Sequence, residues 1–108
     1  MPTLPTSIVV GHDRVEIIFK RLKSDYGRYV KNKIYIDNRQ LPIKQLSTIF
    51  HELAHKFDEY FSLAEGFNLT EQQKEVLANS IENGFMSVLT QSPEFVEWMV
   101  VTVRGDKQ

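Results

Sequence analysis

Apolar residues recur at helical spacing through the second half of the chain. They follow one another three or four residues apart from Pro42 to about Phe61, which predicts an amphipathic helix with Pro42 at its first position. The apolar stripe of this helix consists of Leu46, Ile49, Phe50, Leu53, Phe57 and Phe61. Gly66 and Asn68 interrupt the pattern, so we expect the helix to end before them.

A second helix is predicted after this interruption. Thr70 is a favourable N-cap, and Gln73 three residues later completes a capping box. The apolar stripe of the second helix consists of Leu77, Ile81, Phe85 and Val88. A short third helix is predicted from Ser92-Pro93, and we expect its Phe95 and Trp98 to dock on the core.

The first third of the chain is rich in β-branched and aromatic residues. Two runs, Ser7–Val10 and Val15–Leu22, flank a turn and predict strands. Tyr26–Ile36 predicts a hairpin, with Lys31-Asn32 near its turn and Ile34–Ile36 as its last strand. The order of elements indicates an α+β fold, in which a small antiparallel sheet precedes two main helices and a short C-terminal helix.

Composition and charge narrow the class of protein. The chain has 108 residues, and we expect a single domain over 1–108. A formal net charge of −1 with scattered cations argues against a nucleic-acid surface. The sequence has no apolar run of the roughly 18 residues that a membrane span needs, and Met1–Ser7 does not resemble a signal peptide. The chain has no cysteine, which excludes thiolate metal ligands and is consistent with a cytoplasmic location.

The segment His51-Glu52-Leu53-Ala54-His55 carries the strongest chemical signal. Side chains four residues apart on a helix share a face, so the two imidazoles can bind one zinc ion. Glu52 lies to one side of the pair and is placed to act as a general base toward a water on the metal. The pattern arises by chance in roughly 0.7% of sequences of this composition. On a helical wheel the histidines lie about 140° and 180° from Leu46, which argues against two core histidines and leaves either a metal-binding pair or an ordinary solvent-facing pair.

A third ligand is needed for a catalytic zinc site, which has three protein ligands and an open position. Glu75 is a candidate because it lies on the polar side of the second predicted helix. Glu71 and Glu82 carry the same carboxylate, and Glu82 lies close to the same face. Helical spacing alone therefore leaves the choice among the three open.

The motifs around this segment resemble those of a known family. His51-Glu-Leu-Ala-His55 followed by Glu75-x-x-x-Asn79 resembles the gluzincin metallopeptidases. The chain looks most like small zincin-like proteins of phages and prophages, and is distantly similar to the ImmA/IrrE metallopeptidases. The motifs that carry the closer resemblance are Tyr26-Gly-Arg-Tyr29, Ile34-x-Ile36-Asp37, Gln45-Leu-Ser-Thr48 and Leu77-Ala-Asn79.

The resemblance implies a zincin-like fold and a set of roles. Glu75 becomes the third zinc ligand, and Asn79 an outer-shell partner of a ligating histidine. Asp58, one turn after His55, is a second candidate for such a partner or else a plain exposed acid. The implied reaction is hydrolysis of a peptide bond in a bacterial cytoplasm, with Glu52 as general base. Larger gluzincins add a Tyr or His that stabilises the oxyanion, and the sequence does not identify this residue: Tyr35 and Tyr60 are considered, although four tyrosines in a small core mostly serve packing.

The substrate is expected to be a protein or peptide that adds a strand to an exposed sheet edge. We expect that edge to be Ile34, Tyr35 and Ile36, because this strand directly precedes the histidine helix. An alternative function uses the same metal differently. In it, zinc stabilises a non-catalytic module of phage origin that acts by binding a partner protein.

Overall fold

The computed structural model describes residues 4–61 and 66–105. Four strands precede three helices, which confirms the predicted α+β class. The strands are β1 (Ser7–Val10), β2 (Asp13–Lys20), β3 (Gly27–Val30) and β4 (Lys33–Asp37). The helices are α1 (Pro42–Phe61), α2 (Glu71–Gln91) and α3 (Pro93–Arg104). Each element lies within about two residues of its predicted position.

The four strands form one sheet in the order β1-β2-β4-β3. β1 and β2 are antiparallel, as are β3 and β4, but β2 and β4 are parallel. The predicted antiparallel sheet is therefore wrong in this central pairing, and the sheet is mixed. The physical reason is that the connection after β2 leads to β3 at the far edge of the sheet. β4 then occupies the position between β2 and β3.

This topology also corrects the predicted substrate edge. Ile34, Tyr35 and Ile36 lie on β4, whose backbone is paired with β2 on one side and with β3 on the other. A strand with two neighbours has no free backbone groups with which to bind an added strand. The outer strands of the described sheet are β1 and β3.

Both hairpin turns have backbone conformations that match their sequences. Lys31 and Asn32 have positive φ angles of 46° and 64°, as a two-residue turn between antiparallel strands requires. Gly11, with φ of 61°, turns the chain between β1 and β2. The ring of Tyr60 lies against Gly11, in the space that a side chain at this position would fill. Its hydroxyl accepts a hydrogen bond from the His12 amide at 3.1 Å.

The core lies between one face of the sheet and α1. Successive strand residues point to opposite faces, and the inward positions are fully buried. The core consists of Val10, Val15, Ile17, Ile34, Ile36, Ile49 and Leu53. Tyr35 projects to the opposite face, where Lys20 and Arg28 lie over its ring at 5.7 and 5.9 Å.

A buried ion pair attaches α1 to both hairpin turns. The Lys56 side chain is 1% exposed, and its ammonium donates to Asp13 and to Asn32, each at 2.6 Å. Asp13 begins β2 and Asn32 lies in the turn before β4. One side chain therefore holds the helix in register with two separate parts of the sheet.

α2 begins with the predicted capping box between Thr70 and Gln73. It packs antiparallel to α1, with the rings of Phe50 and Phe85 stacked at 5.2 Å. None of the helices in the described part of the chain combines the length and apolar character of a membrane span.

α3 departs from its prediction. Within Pro93–Arg104, all of which the structure describes, no side chain is buried. Phe95 and Trp98 are 50% and 57% exposed and stack on each other at 6.0 Å rather than docking on the core. The reason is that α3 packs against α2, whereas the core is formed by the sheet and α1.

Candidate metal centre

His51 and His55 occupy successive turns of α1 on the side that faces α2. Their Nε2 atoms both approach the carboxylate of Glu75. The distance from His51 Nε2 to Glu75 Oε2 is 3.1 Å, and that from His55 Nε2 to Glu75 Oε1 is 3.0 Å. One donor atom from each of the three residues lies within 4.8 Å of the others. The structure therefore brings Glu75, rather than Glu71 or Glu82, to the paired Nε2 atoms.

This donor set fits a divalent transition metal. Two imidazoles and one carboxylate form a known ligand set of catalytic zinc. With metal–ligand bonds of about 2.0–2.2 Å, neighbouring donors of a tetrahedral site stand roughly 3.3–3.5 Å apart. The observed separations of 3.0 and 3.1 Å, which run to the two different oxygens of Glu75, are close to this spacing, and the three donor atoms all lie within 4.8 Å of one another. Glu75 is half-exposed, so the fourth side of the cluster is open to solvent.

The second ring nitrogen of His51 contacts another carboxylate. His51 Nδ1 lies 3.1 Å from Glu82 Oε1, and Ser47 donates its hydroxyl to Glu82 Oε2. The sequence prediction assigned such an outer-shell role to Asn79. Asn79 is exposed, whereas Glu82 occupies the position next to Nδ1. For His51, the prediction of Asn79 as outer-shell partner is corrected: the acceptor beside Nδ1 is Glu82, three residues after Asn79 on α2.

Glu52 is buried between α1 and the first residues of β3. Its side chain lies beside Gly27, where a β-carbon would stand 3.4 Å from Glu52 Cγ, and it lines the same cavity as Glu75. Burial raises the pKa of Glu52 to about 7, and the negative charge of Glu75 adds to this rise, while His51 opposes it. A carboxyl group with such a pKa can both accept and release a proton near neutral pH.

Two cavities flank the paired histidines. The larger, of about 550 Å³, extends from His55 past Asp58 toward the beginning of α2. The smaller, of about 330 Å³, extends from His51 toward Asn79 and Glu82. Both cavities are lined by Asp25, Gly27, His51 and Glu52. They form two halves of a groove that passes the metal-binding atoms and follows the beginning of β3.

The tyrosines proposed for oxyanion stabilisation lie elsewhere. Tyr35 is on the opposite face of the sheet, and the Tyr60 hydroxyl is bound to the His12 amide. Neither hydroxyl therefore lies beside the metal-binding atoms. Tyr29 lines the larger cavity, but its hydroxyl is bound to Asn32 at 3.2 Å. Burial and a hydrogen bond with Glu59 raise the pKa of Tyr29, so this hydroxyl stays protonated at neutral pH.

The residues that sequence reasoning missed are Glu82, Ser47 and Gly27. The sequence indicated that Glu82 could lie near the metal site, because it is close to the polar face of the second helix that bears Glu75. Ser47 and Gly27 belong to the motifs Gln45-Leu-Ser-Thr48 and Tyr26-Gly-Arg-Tyr29, but these motifs gave them no role, since their contacts depend on how α1 packs against α2 and β3. No protein-family profile, curated protein or solved structure matches this chain.

Proposed function

We propose that this protein is a minimal zinc-dependent peptidase of the gluzincin type. The convergence of His51 Nε2, His55 Nε2 and Glu75 on one point is the observation that supports it most. A buried carboxylate beside the pair and a groove across it add the two other requirements of such an enzyme. The motif resemblance supports a phage-encoded enzyme that acts on a specific protein in a bacterial cytoplasm.

Each residue has a defined task in this proposal. His51, His55 and Glu75 would hold the zinc ion, leaving one side free for water and substrate. The bound ion would supply Lewis-acid chemistry, polarising the scissile carbonyl and lowering the pKa of water. Glu52 accepts the proton of the attacking water at a carboxylate oxygen and delivers it to the leaving amine. Its burial keeps this carboxylate out of bulk solvent and in one orientation.

The substrate in this proposal lies along β3 rather than β4. β3 is an outer strand, and its Gly27, Arg28 and Tyr29 line the larger cavity. An extended peptide can therefore add to the free edge of β3 and cross the groove beside His51 and His55. Because Gly27 has no side chain, the backbone of β3 approaches Thr48 and Glu52 of α1 closely, which would bring a peptide added to β3 near the metal-binding residues.

The alternative function is that of a zinc-stabilised module that binds a partner. The exposed apolar side chains of α3 favour it, since Phe95, Trp98 and Val103 are each at least half exposed. In this alternative the metal cluster ties α1 to α2, and the chemistry of Glu52 has no role.

Replacement of Glu52 separates the two functions. Wild type and Glu52→Gln would be loaded with zinc and incubated with a complex peptide mixture, and new peptide termini would be identified by mass spectrometry. Removal of a general base should lower cleavage by roughly 10²–10⁴-fold at unchanged zinc content. Glu97→Gln, an exposed acid on α3, serves as the matched control and should cleave like wild type.

Two results would count against the peptidase. Equal cleavage by wild type and Glu52→Gln would remove Glu52 from the mechanism. If both proteins hold zinc and neither produces new termini from the mixture or from candidate host proteins, the binding module becomes the better account.

A further inference from the structure

Glu82 connects the two helices behind the metal-binding face. Its Oε1 lies 3.1 Å from His51 Nδ1, and its Oε2 accepts a hydrogen bond from Ser47. The Glu82 side chain is 13% exposed and that of His51 is 18% exposed, so both contacts are largely shielded from water. Ser47 and His51 are one turn apart on α1, and Glu82 spans them from α2.

These contacts define which nitrogen of His51 can bind a metal. A neutral imidazole carries its proton on one nitrogen, and the other nitrogen is the free acceptor. A metal ion at Nε2, the atom that faces Glu75, would take the lone pair of that nitrogen, so the proton of a neutral His51 would then lie on Nδ1. This Nδ1–H would donate to the carboxylate of Glu82, which orients the ring for metal binding.

We propose that Glu82 is a positioning residue for His51, and that Ser47 holds Glu82 in place. This inference rests on the proposed metal site and assigns it an outer-shell partner that the motif Glu75-x-x-x-Asn79 did not indicate. Hydrogen bonding of both carboxylate oxygens fixes the rotation of the Glu82 carboxylate. The imidazole of His51 is thereby held with Nε2 directed at the carboxylate of Glu75 before any metal arrives.

Neither neighbouring polar residue fills this role equally well. Glu75 contacts the Nε2 atoms of both histidines and so belongs to the metal-binding side. Asn79 lies between Glu75 and Glu82 in sequence, but its side chain is exposed. Glu82 is also placed on the wrong side of the His51 ring to be a ligand itself, since it contacts Nδ1 and not Nε2.

The test is zinc affinity measured by competition with a chromogenic chelator, at a pH where imidazole is neutral. Loss of an outer-shell partner typically lowers metal affinity by roughly 10- to 100-fold. We expect Glu82→Ala to show a loss of this size, and Ser47→Ala a smaller one. Glu82→Gln keeps an acceptor oxygen of the same shape and should recover part of the affinity. The matched control, Glu97→Gln, should bind zinc like wild type.

A second readout separates positioning from a general effect on folding. In the zinc-loaded protein, the proton chemical shift of the His51 Nδ1–H reports its hydrogen bond with Glu82. We expect a strongly downfield resonance in wild type, which moves upfield or is lost to exchange with solvent in Glu82→Ala. His55 should keep its wild-type shifts. Glu82→Gln serves the same comparison if the alanine variant does not fold.

The outcomes distinguish this inference from the proposed function. If Glu82→Ala and Glu82→Gln bind zinc as tightly as Glu97→Gln while His55→Ala loses zinc, the role of Glu82 is refuted and the metal site stands. If His55→Ala also retains wild-type affinity, the metal site itself is refuted. An unchanged His51 Nδ1–H resonance in a folded, zinc-loaded Glu82→Ala protein would likewise overturn the positioning role.

Discussion

Gly27 at the start of the edge strand and Glu52 in the middle of α1 lie in contact across the groove. A β-carbon at Gly27 would stand 3.4 Å from Glu52 Cγ, and it would overlap the methyl group of Thr48. The backbone of β3 therefore approaches the base of the proposed site as closely as the chain permits. Glycine is needed at position 27 because the space between β3 and α1 has no room for a side chain, and not because of its φ angle.

Gly27→Ala should consequently destabilise the protein and disturb Glu52. Overpacking of a tight contact costs about 1–3 kcal/mol in the free energy of unfolding. Urea denaturation measures this loss. Gly84→Ala is the matched control, because a β-carbon there meets no atom within 4 Å and alanine is the better helix residue by about 1 kcal/mol. If both alanines raise the stability, β3 does not approach α1 as described.

The Lys56 ion pair gives a second stability prediction. Asp13→Ala removes a charged acceptor from the buried ammonium of Lys56. Hydrogen bonds to charged groups contribute about 1.5–3 kcal/mol, so we expect a loss of that size in urea denaturation. Glu16→Ala, an exposed acid on the same strand, should change the free energy of unfolding by less than about 0.5 kcal/mol. Equal effects of the two substitutions would argue against a structural role for this pair.

Asp37 predicts how stability depends on pH in the acid range. A hydrogen bond from Arg39 lowers the pKa of Asp37, and the Leu22 amide, at 3.1 Å from Oδ1, adds to this effect despite burial. A group with a lowered pKa in the folded state contributes stability above its unfolded pKa of about 3.9, and this contribution is lost as the pH falls below it.

The melting temperature of wild type should therefore fall between about pH 5 and pH 3, and that of Asp37→Asn should fall less over the same range. The variant should already be less stable at pH 7. Glu97→Gln should follow the wild-type curve. Parallel curves for wild type and Asp37→Asn would show that Asp37 is not held as an anion by its neighbours.

Removal of metal gives a prediction that needs no substrate. A ligand that binds only the folded state adds about 2.7 kcal/mol at a concentration one hundred times its dissociation constant. A strong chelator should thus lower the melting temperature of the zinc-loaded protein, and added zinc should restore it. His55→Ala should show neither response. A melting temperature that is insensitive to chelator in wild type would indicate that no structural metal is bound.

The sequence predicted the elements better than their arrangement. Helical and strand periodicity are local, so Pro42–Phe61 and the capping box at Thr70 could be found without knowing their neighbours. The position of β4 between β2 and β3 depends on long-range pairing, which an alternating pattern does not specify. The exposure of Phe95 and Trp98 has the same origin: an apolar helix does not reveal whether the core can reach it.

The metal-binding residues divide in the same way. The spacing of His51 and His55 within one helix is sufficient to pair them. Glu75 lies on another helix, and only the motif resemblance favoured it over Glu71 and Glu82. The choice between Asn79 and Glu82 as partner of His51 depended on the rotation of α2 against α1, which the sequence does not fix.

The most direct measurement is the zinc content per chain, by elemental analysis of protein purified without a metal-affinity tag. Wild type would be compared with His55→Ala, with Glu75→Ala, and with His12→Ala, in which the replaced histidine is exposed in the turn between β1 and β2. We predict one zinc per chain in wild type and His12→Ala, none in His55→Ala, and weakened binding in Glu75→Ala. Wild-type protein that takes up no zinc even when zinc is added would contradict the metal site and the peptidase proposed from it.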